Sequence, residues 1–258
     1  MPPTGPQAAS ARSSEPIDGS SAAHAGQPQT PSKRAARRKA RRRSSGARLF
    51  AFDRRLQSRW VAGADEAGRG CLAGPLVAAA VLFDYERLTA RELRALSALN
   101  DSKQHSSAAR DELYPLVLTS AARVTVVSRC ASGIDSRGLH KTNLAALRDA
   151  IRGVTSDVEG RVECLIDGFA VPAFEREQRP VVGGDATSAA IAAASIVAKV
   201  TRDRYMHRAD KLHPGWSFAE HVGYSTPVHR EAIERIGVSP LHRMSFQSLA
   251  YQQLALEA

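Results

Sequence analysis

Two apolar runs fix the start of the folded body, Trp60-Val61-Ala62-Gly63-Ala64 and Leu76 to Phe83. Between them stand the adjacent carboxylates Asp65-Glu66, the triplet Gly68-Arg69-Gly70 and the turn Leu72-Ala73-Gly74-Pro75. Apolar runs bounded by Gly and Pro read as strand, turn, strand. Neighbouring residues on a strand point to opposite faces. Asp65 and Glu66 can therefore enter one site only if the strand ends between them. The glycines that follow allow such an end and let backbone N–H groups come close to a ligand.

Further along, periodicity predicts a short helix over 89–99 and a helix capped by Ser106/Ser107 and running to Leu118. A Val-rich strand is expected over 122–129 and a helix over 139–153. Arg161 to Ile166 is a fourth strand and Pro180 to Val182 a short fifth. Thr187/Ser188 lead into an Ala-rich helix to about Ala209 that is apolar on every side, so it must be buried. Helices over 227–236 and 244–256 close the chain. Three strands joined by short turns, then two separated by helices, predict an α/β fold: a five-stranded mixed sheet flanked by helices, with a C-terminal helical extension.

The chain has 258 residues and a formal charge of +10, but residues 1–48 hold ten Lys/Arg against two acids, a net of +8. That segment lacks apolar periodicity and is rich in Pro, Ser, Ala and Gln, so 1–48 is read as a disordered basic tail and 49–258 as the folded domain. The run from Lys33 to Arg43 is either a phosphate-binding arm or a solvated linker. Cys71, Cys130 and Cys164 are far apart, which suits neither a disulfide framework nor a zinc site. No apolar run has membrane-spanning length and no secretory signal is recognisable. A cytoplasmic protein without membrane contact is expected, and nothing requires more than a monomer.

Three strand ends carry carboxylates beside glycine: Asp65-Glu66, Asp167-Gly168 and Gly184-Asp185. Ligands of open sheets bind near strand C-termini. Four carboxylates converging there would repel one another without counter-ions, and hard oxygen ligands suit Mg²⁺ or Mn²⁺. Two such ions form the clamp used for in-line phosphoryl displacement.

These residues resemble the ribonuclease HII family, bacterial ribonucleases H of type 2. The matching text is Asp-Glu-Ala-Gly-Arg-Gly (65–70), Leu-Ala-Gly-Pro (72–75), Asn-Asp-Ser-Lys-Gln (100–104), Leu-Ile-Asp-Gly (165–168) and Gly-Asp (184–185). It continues with the segment 191–203, Gly-Tyr (223–224) and Ser-Pro-Leu-His-Arg-Met-Ser-Phe (239–246). The resemblance spans roughly residues 58–250 and implies a ribonuclease H-like fold. It implies that Asp65, Glu66, Asp167 and Asp185 are the catalytic, metal-holding carboxylates, with Mn²⁺ or Mg²⁺, two ions during catalysis. The implied reaction is endonucleolytic hydrolysis 5′ to a ribonucleotide in RNA–DNA hybrids and in DNA with embedded ribonucleotides, leaving 3′-hydroxyl and 5′-phosphate ends, in replication and repair. By the same resemblance Gly68, Arg69 and Gly70 read the 2′-hydroxyl, Tyr224 stacks on a neighbouring sugar, and Lys103 and Ser102 contact the backbone.

Two departures weaken phosphate contacts: Gly183 stands where the family usually has Lys, and Val222 and Ser225 replace Lys and Gly in the loop before and after Gly223-Tyr224. An alternative is therefore a catalytically weak duplex-binding protein of the same fold. Ser195 and Lys199 sit one turn apart, and Lys199 is either structural or backbone-contacting. Asp203 is expected in a helix-end ion pair. His242-Arg243 either touch the duplex or pack. His221 and His229 are expected at the surface.

Overall fold

The computed structural model describes residues 45–100, 102–246 and 251. A helix over residues 45–54 (α1) opens the described chain, so structure begins before Leu49; most of the basic tail lies outside the described residues. Its Leu49 and Phe50 are buried in the core, which is why a helix can form directly behind a basic run. The strands are β1 (Trp60–Ala67), β2 (Leu76–Asp84), β3 (Arg123–Arg129), β4 (Val162–Asp167) and β5 (Gln178–Val181). They form one five-stranded sheet in the order β3-β2-β1-β4-β5. β1 pairs antiparallel with β2, and β2 with β3; β4 runs parallel to β1 and to β5. The mixed sheet expected from the sequence is present.

Between the strands lie α2 (Ala90–Ala95), extended by a 3₁₀ turn over Leu96–Ala98, α3 (Ser107–Ser120), α4 (Ala131–Arg137) and α5 (Leu139–Thr155). After β5 come α6 (Ala189–Leu212), α7 (Phe218–His221) and α8 (Pro227–Ile236). Residues 244–246 are a turn instead of the expected helix start. The backbone N–H groups of Met244 and Ser245 each donate to the Asp135 carboxylate at 3.0 Å, and this holds the turn. The rest of that expected helix, Tyr251 apart, lies outside the described residues.

Strand alternation divides the core in two. Val61, Val77, Ala79, Val81, Phe83 and Leu165 face α6, whose Ala189 to Ala194 are completely buried against them. Ala62, Ala64, Ala78, Ala80, Cys164 and Ile166 face Ala146, Leu147, Ala150 and Ile151 of α5. Small side chains on β1, β2 and α6 let helix and sheet approach closely, and close packing transmits any change in volume. Among the described residues no helix is long and apolar enough to cross a membrane.

Candidate active site

β1 does not end between its two acids; both lie within the strand, opposite Ala79 and Ala78 of β2. They therefore point to opposite faces of the sheet, which corrects the expectation of a strand end between them. Asp65 shares the face of α6, where the Ser195 side chain hydrogen-bonds it. Glu66 shares the face of α5, where the Asn143 side chain hydrogen-bonds it. Both nevertheless line one cleft: β1 stays paired with β2 as far as Ala67 but leaves β4 after Ala64, so on the β4 side the strand edge at the two acids is open. Asp65, Glu66, Gly68, Arg69, Gly70, Ser102, Lys103, Asp167 and Tyr224 line that cleft together with Ser195 and Lys199. Asp185 is not in the lining; it is buried in the 3₁₀ turn Gly184–Ala186, and its Oδ2 lies 3.9 Å from Lys103 Nζ. Asp101, in the motif 100–104, lies outside the described residues.

Each carboxylate is held by groups of its own chain. Asp65 Oδ1 accepts the Glu66 N–H at 2.7 Å. Asp167 Oδ1 accepts the Gly184 N–H at 2.7 Å, which ties the end of β4 to the turn that carries Asp185. Burial first, then the charges of Glu66 and Asp167, hold the Asp65 carboxyl well above its ordinary range. Burial also raises Glu66, opposed by Asn143 and by the Arg69 guanidinium, whose Nη1 is 3.9 Å from Glu66 Oε1. Buried like charges raise one another's protonation in this way, and such perturbation clusters at functional sites. Among the described residues no three His, Cys, Asp or Glu are gathered closely enough to enclose an ion. The donor chemistry nevertheless fits a hard divalent cation: oxygen ligands only, crowded, and partly offset by Lys103 and Arg69.

The loop after β1 rests on two arginines with no exposed surface. Arg202 of α6 donates to the carbonyls of Pro75 (2.9 Å), Val222 (2.8 Å) and Ala73 (3.0 Å). Arg243 donates to Gly74 O through Nε and Nη2 (3.0 and 2.8 Å) and to Arg69 O at 3.2 Å. Gly68 has φ +89°, and a Cβ there would lie 2.0 Å from Arg202 Nε, so only glycine fits this clamp. Burial and the nearby Arg202 charge push Arg243 down to about 10. His242 and Arg243 pack inside the protein, both buried.

Tyr224 sits at the other side of the cleft, 42% exposed. Lys199 Nζ stands 5.4 Å from its ring centroid while pairing with Asp203 at 2.7 Å. Asp203 also faces Arg110 at 3.5 Å, so its ion pair lies within α6 and not at the helix end. Lys199 is thus structural and cleft-lining at once. Ser195 Oγ lies 2.7 Å from Ser102 Oγ, which links α6 to the Ser102–Gln104 turn.

His221 and His229 are buried, contrary to their expected surface placement. Their rings stack at 4.1 Å, and His229 Nε2 lies 3.1 Å from His242 Nε2. The partners fix the tautomers. His229 Nδ1 donates to Tyr224 O at 2.8 Å, leaving Nε2 to accept from His242. His242 Nδ1 then accepts the Ser239 N–H at 2.8 Å. His221 Nε2 donates to Trp216 O at 2.7 Å and its Nδ1 accepts from Gly223 N at 3.1 Å. All three rings are neutral, and burial pushes His229 and His242 down to about 4. The triad fixes the backbone on both sides of Tyr224. Residues separated this widely in the chain gave no spacing signal for it. Asn143 also went unrecognised; its one signal is an Asn on the first turns of a helix otherwise apolar toward the sheet.

The family model described as Ribonuclease HII matches residues 62–249. A Ribonuclease HII from Rhodococcus erythropolis is 46% identical over 198 residues, covering 76% of this chain and 84% of that one. The ribonuclease H2 of Pyrococcus horikoshii superposes with a TM-score of 0.61 at 23% identity, covering 77% of this chain and 98% of that one. Bst-RNase HIII in complex with Mn²⁺ superposes with a TM-score of 0.60 at 19% identity, covering 82% and 72% of the two chains. The two structures share the fold; the family match and the relative settle membership, and the chain belongs to the ribonuclease HII family of nucleases.

Proposed function

We propose that this protein is a divalent-metal-dependent endoribonuclease. It hydrolyses the phosphodiester on the 5′ side of a ribonucleotide in RNA–DNA hybrids and in duplex DNA with embedded ribonucleotides, leaving 3′-hydroxyl and 5′-phosphate ends. One observation carries this reading: Asp65, Glu66 and Asp167 share a single cleft with Gly68-Arg69-Gly70 and Tyr224. Carboxylates for phosphoryl chemistry and groups suited to checking a sugar thus face the same space.

Asp65, Glu66, Asp167 and Asp185 would hold the ions, and a Mn²⁺ complex of a protein sharing the fold supports divalent chemistry. A bound pair of divalent ions supplies an activated water and a counter-charge for the leaving oxygen. The chain's own residues do the rest. Clamped by Arg202 and Arg243, the 68–70 loop presents backbone groups at fixed positions, so reading a 2′-hydroxyl requires no reordering. Lys103, 84% exposed at its side chain, reaches over Asp185 toward the cleft mouth, where a phosphate is screened from the acids. Tyr224 offers a ring face to the adjoining sugar.

The test is a duplex with one ribonucleotide, an all-DNA control, and Mn²⁺ or Mg²⁺. A nick 5′ to the ribonucleotide, lost in the control and in Asp65→Asn, is the expected result. Retained binding with no nick by the wild type would overturn the assignment.

A further inference from the structure

One exposed aromatic ring that the proposed chemistry leaves unused stands beside the cleft. Phe169 follows Asp167-Gly168 directly and is 51% exposed. Its position is fixed and not incidental. The Phe169 N–H donates to Asp167 O at 2.9 Å, and the Gly168 N–H donates to Val181 O at 3.0 Å. The Arg69 guanidinium sits over its ring, 5.6 Å from the centroid. His140, from the first turn of α5, meets it edge-on at 5.7 Å. An aromatic ring left half in water gains nothing for the core, whereas Val171, two residues on, is 2% exposed and packs inside. A cation over one face and an imidazole at the edge hold the ring upright and leave the rest of its surface to solvent.

We propose that Phe169 is a substrate-positioning residue, a platform for the deoxyribose of a nucleotide flanking the ribonucleotide; this rests on the duplex-cleaving reading above. Bases within a duplex are stacked and their faces unavailable, so an upright ring at the rim of the cleft meets a sugar and not a base. Tyr224 and Phe169 then grip the backbone from two sides, one beside α6 and the other at the end of β4. Arg69 is shared between Glu66 and the ring, so the platform also steers the guanidinium between carboxylate and substrate.

The contact is apolar, and this separates it from the basic residues. In Phe169→Ala, the duplex Kd measured by fluorescence anisotropy should rise about tenfold, equivalent to about 1.4 kcal/mol. KM should rise with it while kcat stays within about twofold of wild type. The slope of log Kd against log salt should not change, because no phosphate contact is lost, whereas Arg69→Ala should flatten it. Phe169→Tyr and Phe169→Trp should restore binding and Phe169→Leu should not. An unchanged Kd in Phe169→Ala would overturn the proposal, as would full rescue by Leu, which would make the side chain mere packing. If the wild type binds the duplex but never nicks it, the cleavage reading fails while the binding comparison still judges Phe169.

Discussion

Gly63→Ala should damage both stability and catalysis, although Gly63 touches no substrate. Gly63 lies on the α6 face of β1, two residues before Asp65. A Cβ there would sit 2.2 Å from Ala190 C, 2.3 Å from Ile191 N and 2.6 Å from Ala190 O. Carbon contacts are comfortable at about 3.5–4.0 Å, so strand and helix must separate by roughly 1 Å. Every nearby atom is backbone in the first turn of α6, and no rotamer change can relieve the clash. Overpacking of this kind costs about 1–3 kcal/mol and sometimes more. The separation also strains the bond from the Ala190 N–H to Asp53 Oδ2, 3.0 Å long, and a buried partner left unpaired adds about 1–3 kcal/mol. A total of about 2–6 kcal/mol corresponds to a fall in Tm of roughly 4–24 °C for a domain of this size. The same shift moves Asp65 relative to Ser195, and a misplacement of about 1 Å costs about 10²-fold in rate. Thermal and urea unfolding read the first effect, and single-turnover cleavage of the ribonucleotide duplex reads the second. Gly70→Ala is the stability control, since nothing lies within 4 Å of a Cβ there. A Gly63→Ala protein that melts within about 2 °C of wild type would refute the claim that backbone contact between β1 and α6 sets the site.

Four further outcomes are expected. Asp65→Asn should lose more than about 100-fold in cleavage rate yet melt higher at neutral pH, because the buried charge is gone; since the folded carboxyl is raised, this gain should shrink as pH falls through its raised range toward 3.8. Mn²⁺ at about 100 times its Kd should stabilise the wild type by about 2.7 kcal/mol and leave Asp65→Asn unmoved, read by calorimetry. His229 and His242, pushed down to about 4 from 6.5, should show no NMR titration above pH 5, and the fold should lose up to about 3 kcal/mol for each as pH falls from 6.5 to 4. Gly183→Lys, at φ +62° with open space around a Cβ, should cost about 1–2 kcal/mol in backbone strain and steepen the salt dependence of duplex binding by about one unit of slope.

The tail calls for a cut at residue 44, not 48, because the helix over residues 45–54 buries Leu49 and Phe50. Removing 1–44 deletes nine Lys/Arg and two acids. Weaker binding and a flatter salt slope are the expected outcome; identical affinities and slopes would make the segment a passive linker.

What the sequence made legible follows from the reach of its signals. The sheet was readable because strands and turns are local, and α6 because a helix apolar on all sides has nowhere to go but inward. The acids at 65, 66, 167 and 185 announced themselves because a carboxylate beside glycine at the end of an apolar run costs stability unless it has a use. The scaffold beneath them was not readable. Arg202 and Arg243 are fully buried on carbonyl oxygens up to 174 residues away, and a carbonyl has no letter in the sequence. His221, His229 and His242 satisfy one another and the backbone around Tyr224; the polarity of His221 and His229 pointed to the surface while their partners took them inside. The opposite placement of Asp65 and Glu66 is the instructive case. Alternation along the strand correctly separated them, and the inferred strand end was needed only if convergence required one face. With α5 contributing Asn143 and α6 contributing Ser195, a strand that outruns its parallel neighbour β4 places two acids in one cleft from both faces. The site therefore depends on both packing layers, and a substitution that loosens either helix should cost activity before it costs the fold.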